Sequence, residues 1–216
     1  SDLSWRNQQY LEQKHGLSPV PVIHFGDSMD WIKFYLDKGY NFIGLGGLVG
    51  SVHSRSSKWL DKCFDLICDT PDRMPKVRVH GFGVSSINWL LRYPWWSIDS
   101  TTWIRVAGLG QIYVPKKRNG SFDFRVRANV IPISDENPAK KNGGGHFESF
   151  TKAEKTLILD WLNYIGVPLG DAITTGVRNN RVWRTKANLF FFENMVKEVS
   201  KEQRPFLVTK RKGLLS

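Results

Sequence analysis

Short apolar runs alternate with segments of helical periodicity over the first hundred residues. The runs VPVIHF (20–25), NFIGLGGLVG (41–50), VRVHGFG (77–83) and WWSIDS (95–100) each begin with the composition of a buried strand. Between them, MDWIKFYLDKG, SSKWLDKCFDLIC and SSINWLLRY repeat apolar residues at helical spacing. Strands that alternate with helices in this way predict an α/β fold, with a parallel sheet and helices outside it.

The four predicted strands share a feature at their carboxyl ends. His24, the pair Gly46 and Gly47, His80 and Asp99 lie at or just beyond these ends. In a (β/α)8 barrel the same ends form the active-site face. Four units make half of such a barrel, which needs about 250 residues when complete. The sequence therefore predicts a TIM-barrel-like C-terminal half, with the other strands supplied upstream or by another chain, or else an open sheet.

The pattern changes after residue 103. QIYVP and FDFRVR, on either side of KKRNGS, predict a hairpin, and ISDENPAKKNGGGH predicts a loop. Thr151 and Glu154 form the capping-box pattern T-x-x-E, which predicts a helix over 151–166. A second helix is expected over 186–203, followed by a short basic tail that frays.

Positive charge is concentrated in the second half of the chain. Residues 1–100 carry 11 Lys and Arg against 10 Asp and Glu, whereas residues 101–216 carry 20 against 10. The excess interleaves with aromatic residues and glycine, which suits contact with a phosphate backbone, although a solvated surface is the simpler alternative. We therefore divide the chain into a barrel half, 1–105, and a basic α+β extension, 106–216. The candidate nucleic-acid contacts are Lys116, Lys117, Arg118, Lys140 and Lys141.

The rest of the composition narrows the class of protein. Cys63 and Cys68 lie in an amphipathic segment, which favours a place in the core over a disulfide or a zinc site. No stretch reaches the roughly 20 apolar residues of a membrane-spanning helix, and no signal peptide is visible. We expect a cytoplasmic protein without a metal, a cofactor or a membrane partner.

Three motifs follow predicted strands in the order GLGGLVG, VHGFG and SIDST. Over roughly residues 19–115 they resemble the closing half of the tRNA-guanine transglycosylase family, which exchanges a guanine base for a 7-deazaguanine. The similarity is closest to the shorter phage-encoded relatives, whose implied substrate is DNA. The resemblance thus implies a glycosyltransferase of the host cytoplasm that binds DNA and a 7-deazaguanine base, with RNA as a second acceptor left open.

Carried over by position, the resemblance makes Asp99 the catalytic nucleophile. Gly47 and Leu48 match the backbone that lines the incoming base, with Gly46 beside them, and His24 lies near the place of a base-binding glutamine. The zinc motif C-x-C-x-x-C of the tRNA enzymes and their early D-S-G-type motif are both absent. The second absence agrees with a first half supplied by an upstream half-barrel chain or by a homo-oligomer.

An aspartate also suits this chemistry on independent grounds. Breaking a glycosidic bond builds positive charge at C1′, which a carboxylate can stabilise or capture covalently. Base exchange requires capture, because the first base must leave before the second one enters. We expect the apolar neighbours of Asp99 in WWSIDSTTW to exclude water from this intermediate.

The histidine of VRVHGFG has two interpretations of equal weight. His80 is either a satisfied core residue or a group that binds the substrate. Gly81 and Gly83 permit a ligand to approach the backbone closely, and the ring of Phe82 can stack on a base. We include His80 and Phe82 among the candidate substrate-binding residues.

Three alternatives to the transglycosylase interpretation stay open. Asp99 can be a structural carboxylate that caps the next helix or pairs with Arg92 or Arg105. His24, His80 and Asp99 on separate strand ends also suit a metal-dependent barrel hydrolase. The third alternative is a non-catalytic nucleic-acid-binding protein on a degenerate barrel, in which the basic half does the binding.

Overall fold

The computed structural model describes residues 2–50, 52–142, 144–201 and 204–207. The chain divides into two compact units, one of Ser1–Ser100 with Gln203–Ser216 and the other of Thr101–Glu202. The division precedes the helix Thr102–Gly108, which the boundary expected after residue 105 would cut. The fraying expected for the basic tail concerns residues from 208 onward, which lie outside the described ranges.

The first unit alternates helices and strands. Its elements are α1 (Asp2–His15), β1 (Val22–His24), α2 (Asp30–Asp37), β2 (Phe42–Gly46), α3 (His53–Ile67), β3 (Arg78–Gly81), α4 (Ile87–Arg92) and β4 (Ser97–Ile98). All four strands are parallel and pair in the order β1-β2-β3-β4. The parallel sheet of an α/β fold is therefore confirmed, and α1 is an additional helix that the sequence pattern did not indicate.

The register of the sheet separates its two faces. One row of neighbours across the four strands contains Val22, Gly44, His80 and Ser97. The alternate residues Ile23, Ile43, Leu45 and Val79 are buried on the other face. α3 covers this buried face, where the rings of Phe64 and Trp95 meet at 4.9 Å. The row that contains His80 therefore faces away from α3.

The second unit combines short antiparallel strands with two long helices. Its elements are α5 (Thr102–Gly108), β5 (Gln111–Val114), β6 (Lys116–Arg118), β7 (Ser121–Asp123), β8 (Asn129–Pro132), α6 (Ala139–Asn142), a 3-10 turn (Phe147–Ser149), α7 (Lys152–Tyr164) and α8 (Arg181–Val199). No helix within the described ranges of either unit is long and apolar enough to span a membrane.

The strands around the predicted hairpin pair differently from the prediction. β6 pairs with β7 around Asn119 and Gly120, whereas β5 pairs with β8 rather than with FDFRVR. Asn119 and Gly120 have φ of 50° and 80°, as a two-residue hairpin turn with the twist of its strands requires. The local turn sequence thus determines the inner pair, and the outer pair joins strands farther apart along the chain.

The helices of the second unit begin where their capping residues place them. The predicted capping box is confirmed at α7, where Thr151 N–H donates to Glu154 Oε2 at 2.8 Å and Glu154 N–H donates to Thr151 Oγ1 at 3.3 Å. α8 begins earlier than the expected residue 186, because the side chain of Asn180 accepts the N–H of Val182 at 2.8 Å. The predicted loop before α7 contains the short helix α6.

Candidate active site

The carboxyl ends of β1 to β4 place most of the candidate site residues along one edge of the sheet. Ligands of parallel α/β sheets bind at this edge. Asp99 directly follows β4, and Phe82 directly follows β3.

The carboxylate of Asp99 is held by the loop that follows β3. The backbone N–H of Gly83 donates to Asp99 Oδ1 at 2.6 Å, and the N–H of Asp99 donates to the Gly81 carbonyl at 3.2 Å. The second carboxylate oxygen, Oδ2, lies 3.9 Å from His80 Nε2. One oxygen is thus fixed by the protein, and the other is directed towards a histidine.

His80 lies between Asp99 and a residue that the sequence did not single out. Its Nδ1 is 2.8 Å from Ser97 Oγ. When this hydroxyl donates to Nδ1, the ring carries its proton on Nε2, the nitrogen nearer to Asp99. Ser97 opens the motif SIDST but was not among the candidate site residues, and the β3–β4 register, which pairs Ser97 with His80, places it in the site.

The ring of Phe82 lies over the middle of β2. A Cβ added to Gly44 would stand 2.6 Å from Phe82 Cε2, so this close approach requires a glycine. Phe82 also packs edge-on against His80, with ring centroids 4.3 Å apart. About a third of Phe82 (37%) remains exposed, which leaves ring surface available to a planar ligand. A glycine inside a predicted strand was the signal that could have identified Gly44.

The two glycines after β2 have different surroundings. A Cβ on Gly46 would make ordinary contacts with Val22 Cγ1 at 3.4 Å and with Phe82 Cβ at 3.6 Å, on the face that carries His80. Gly47 has φ of 71°, and a Cβ there would approach the backbone nitrogen of Phe25 at 3.1 Å. Gly47 is therefore needed for the turn, whereas a side chain at Gly46 would lie beside Phe82 without a clash.

His24 and Leu48 contribute less directly to the site. The side chain of His24 is 59% exposed, with Nδ1 at 3.9 Å from Asp27 Oδ2, and its backbone N–H donates to the same oxygen at 2.8 Å. Leu48 is buried, so its side chain belongs to the core and only its backbone can border a ligand. Within the described ranges, no group of three or more His, Cys, Asp or Glu side chains is placed to hold a metal ion.

The solvent exposure of Asp99 corrects one expectation. Its side chain is 58% exposed, and Trp96 is exposed to the same extent. Trp95 turns towards the helices instead, where a Cβ on Gly81 would meet its ring at 3.0 Å. The prediction that the neighbours of Asp99 exclude water is therefore wrong for the part of the chain that the structure describes, because these tryptophans do not enclose the carboxylate.

Arg92 is engaged elsewhere and does not pair with Asp99. Its Nε donates to Asp61 Oδ1 at 2.8 Å, and the hydroxyl of Tyr93 donates to the same oxygen at 2.8 Å. The hydrogen bond to Asp61 raises the pKa of Arg92. The prediction that a structural Asp99 could pair with Arg92 is therefore wrong.

Thiol chemistry is disfavoured by burial. Cys63 and Cys68 are both buried and unpaired, which confirms their predicted place in the core. Burial raises the pKa of Cys68 to about 12 and raises that of Cys63 further. Neither thiol therefore supplies a nucleophilic thiolate at neutral pH.

The five basic residues expected to contact nucleic acid fall into two groups. Lys117 pairs with Asp160 at 2.5 Å, and Lys140 pairs with Asp135 at 2.6 Å. Lys116 and Arg118 on the β6–β7 hairpin and Lys141 on α6 are exposed and have no ion-pair partner among the residues described. The carboxylate beside a paired lysine repels a phosphate and offsets the charge of the lysine, so the second group is the better candidate.

No family model matches the chain, and no curated protein or solved structure matches it. The residues of the site are therefore the basis of the functional assignment.

Proposed function

We propose that the chain is part of a base-exchange transglycosylase, in which Asp99 displaces guanine from a nucleic acid and a 7-deazaguanine then takes its place. The main support is the Asp99 carboxylate, with Oδ1 held by Gly83 N–H at 2.6 Å and the side chain accessible at the carboxyl edge of a parallel sheet. Phe82 offers exposed ring surface for a base on the same side.

The proposed reaction has two displacements at C1′. Asp99 forms an ester bond to C1′ while the bond from C1′ to guanine breaks, and the electron pair leaves with guanine, which takes up a proton. The 7-deazaguanine then attacks C1′ and loses a proton, and the ester bond breaks to restore the carboxylate. His80, with Nε2 at 3.9 Å from Asp99 Oδ2, is the proposed carrier of these protons.

We also propose that strands β1 to β4 are half of an eight-stranded barrel. β1 and β4 are the outer strands of the sheet and pair with no further strand in the described ranges. Parallel sheets occur with both faces covered, and α3 covers only the face opposite His80. Four further strands would cover the other face and would provide the exclusion of water that Asp99 lacks.

The acceptor that we propose is DNA, with RNA as the alternative. The excess of 20 Lys and Arg over 10 Asp and Glu in residues 101–216 supports a polyanionic partner. The proposed setting is the cytoplasm, that of a host cell if the gene is carried by a phage.

A covalent adduct tests this proposal. Incubation of the protein with guanine-containing DNA and no acceptor base should yield a protein–DNA ester at Asp99, seen by denaturing electrophoresis and intact-mass spectrometry. Asp99→Asn should abolish the adduct and change the melting temperature little, because the side chain is 58% exposed and the amide oxygen can still accept the N–H of Gly83. Asp27→Asn, at the end of β1, is the matched control and should retain the adduct.

Two outcomes would contradict the proposal. An adduct that survives in Asp99→Asn, or one that maps to another residue, would make this carboxylate structural. DNA binding without an adduct in the wild-type protein would favour the non-catalytic nucleic-acid-binding alternative.

A further inference from the structure

One side of α8 exposes a stripe of apolar residues. Val182, Leu189 and Val196 are spaced seven residues apart and are 65%, 49% and 40% exposed. At about 100° per residue they lie within about 20° of one line along the helix. The residues of α8 that are buried in the second unit lie elsewhere around the helix, at Arg184, Ala187, Asn188, Phe191 and Met195. Residues seven apart stay on one side of a helix, so the stripe presents apolar surface that a second helix can cover.

The charges beside the stripe indicate which helix covers it. Lys186 and Glu193 lie on the same flank, at about 60° and 40° from Leu189 around the helix axis. In an antiparallel pair of α8 helices with a two-fold axis at Leu189, a residue before Leu189 comes beside a residue equally far after it. Lys186 is three residues before Leu189 and Glu193 is four residues after it, so Lys186 and the Glu193 of the second copy lie side by side on the same flank, offset by about 1.5 Å along the helices, and the contact occurs twice.

The apolar residues of the stripe match in the same arrangement. Val182 and Val196 are equally far from Leu189, so Val182 of one copy meets Val196 of the other, and Leu189 meets Leu189. Arg181 and Lys197 are also equally far from Leu189, but they lie on opposite flanks, at about 80° each, so the two cations stay apart. The stripe and its flanks are thus complementary to themselves, as an isologous contact requires.

We propose that α8 is a self-association surface, through which two copies of the chain form an antiparallel helix pair with two Lys186–Glu193 ion pairs. Glu193 already accepts Lys197 of its own helix at 2.7 Å, and the partner's Lys186 would add a second cation to this carboxylate. Lys186 is available for this role, because its ammonium lies over the Trp183 ring at 4.6 Å and has no carboxylate partner in the described part of the chain. A parallel pair would separate Lys186 from Glu193 along the helices and lose both ion pairs.

The contact is small, so we expect a reversible dimer. α8 has 19 residues and is about 28 Å long, which accommodates three layers of stripe contacts. An interface of this size belongs to the weak end of specific protein contacts. The dimer should therefore form with rising protein concentration and dissociate on dilution.

Sedimentation velocity over a wide range of protein concentration tests the association. The wild-type protein should shift from monomer to dimer as its concentration rises. Leu189→Glu should remain monomeric, because two carboxylates would face each other on the two-fold axis. Ile173→Glu is the matched control, since Ile173 is 94% exposed but lies outside α8, and it should still dimerise. A wild-type monomer at the highest concentration, or a dimer in Leu189→Glu, would overturn the proposal.

Charge reversal tests the ion pairs. Glu193→Lys should weaken dimerisation about tenfold, because two surface ion pairs become like-charge contacts. The double variant Lys186→Glu with Glu193→Lys should recover most of the loss. The two positions lie seven residues apart on one helix, too far for contact within a chain, so rescue reports contact between copies. Weakening without rescue would count against the pairing.

Disulfide trapping tests the orientation. With oxidised glutathione as oxidant, Leu189→Cys should link to its own copy, and Val182→Cys should link to Val196→Cys when the two variants are mixed. Cys63 and Cys68 are buried, so they should add little background. A disulfide that Val182→Cys forms efficiently with itself would indicate parallel helices and overturn the antiparallel arrangement.

Discussion

At the scale of single residues, Gly46 and Gly47 offer a paired test of the candidate site. Gly47→Ala should lower the free energy of unfolding by about 1–2 kcal/mol, because φ is 71° and the methyl group would approach Phe25 N at 3.1 Å. Gly46→Ala should cost less than Gly47→Ala, since its φ is not positive and its contacts begin at 3.4 Å. Its methyl group would nevertheless enter the space beside Phe82 and weaken binding of a 7-deazaguanine base.

Denaturant unfolding and calorimetric titration with the base measure these two effects. Unchanged base affinity in Gly46→Ala would exclude this face as the base site. Unchanged stability in Gly47→Ala would show that the turn tolerates a side chain. A side chain at Gly47 would face Phe25 rather than the ring of Phe82, so Gly46 is the position that tests base binding.

The residues of the site differ in how far their places could be predicted. His80 and Asp99 lie at the ends of apolar runs, so their approach at one sheet edge follows from the strand pattern. Ser97 and Gly44 open the motifs SIDST and GLGGLVG, but their places beside His80 could not be predicted, because these depend on the register between neighbouring strands. The exposure of Asp99 was also not predictable, since it depends on where Trp95 and Trp96 turn.

At the scale of elements, one buried side chain joins α8 to its neighbours. Asn188 is fully buried, and its Oδ1 accepts the N–H of Tyr113 at 2.8 Å. Its Nδ2 donates to the carbonyls of Trp103 at 3.0 Å and Gln111 at 3.3 Å. One amide thus makes three hydrogen bonds to backbone groups of α5 and β5.

Asn188→Leu should therefore destabilise the second unit strongly. We expect a loss of about 2–4 kcal/mol in the free energy of unfolding, because leucine removes three hydrogen bonds at a fully buried position. Guanidinium unfolding followed by tryptophan fluorescence measures the loss. Asn194→Leu is the control, since among the residues that the structure describes its Nδ2 bonds only the Phe190 carbonyl of its own helix, at 2.7 Å. Similar losses in both variants would contradict this role of Asn188.

At the scale of the whole molecule, the net charge of +11 resides almost entirely in residues 101–216. If this charge binds DNA, the logarithm of affinity should fall with the logarithm of salt concentration by about 0.9 per phosphate neutralised. Replacing Lys116 and Arg118 with alanine should flatten the slope by about 1.8. Replacing Lys117 and Lys140 should flatten it less, because Asp160 and Asp135 already hold them.

Fluorescence anisotropy with a labelled duplex at several salt concentrations measures these slopes. Equal flattening by the two double variants would show that the ion pairs do not compete with phosphate. An affinity that does not depend on salt would mean that the charge is only a solvated surface.

The sequence by itself determined the features that arise from local chemistry. Apolar periodicity specified the alternation of strands and helices in the first unit, and the Thr151–Glu154 capping box specified the start of α7. Tertiary structure alone decided the pairing of β5 with β8 and the engagement of Arg92 by Asp61. The physical reason is the distance along the chain over which each interaction acts. Helix capping and apolar periodicity act over a few residues. Strand pairing and ion pairing instead join residues that are distant along the chain, whose meeting depends on how the whole unit packs.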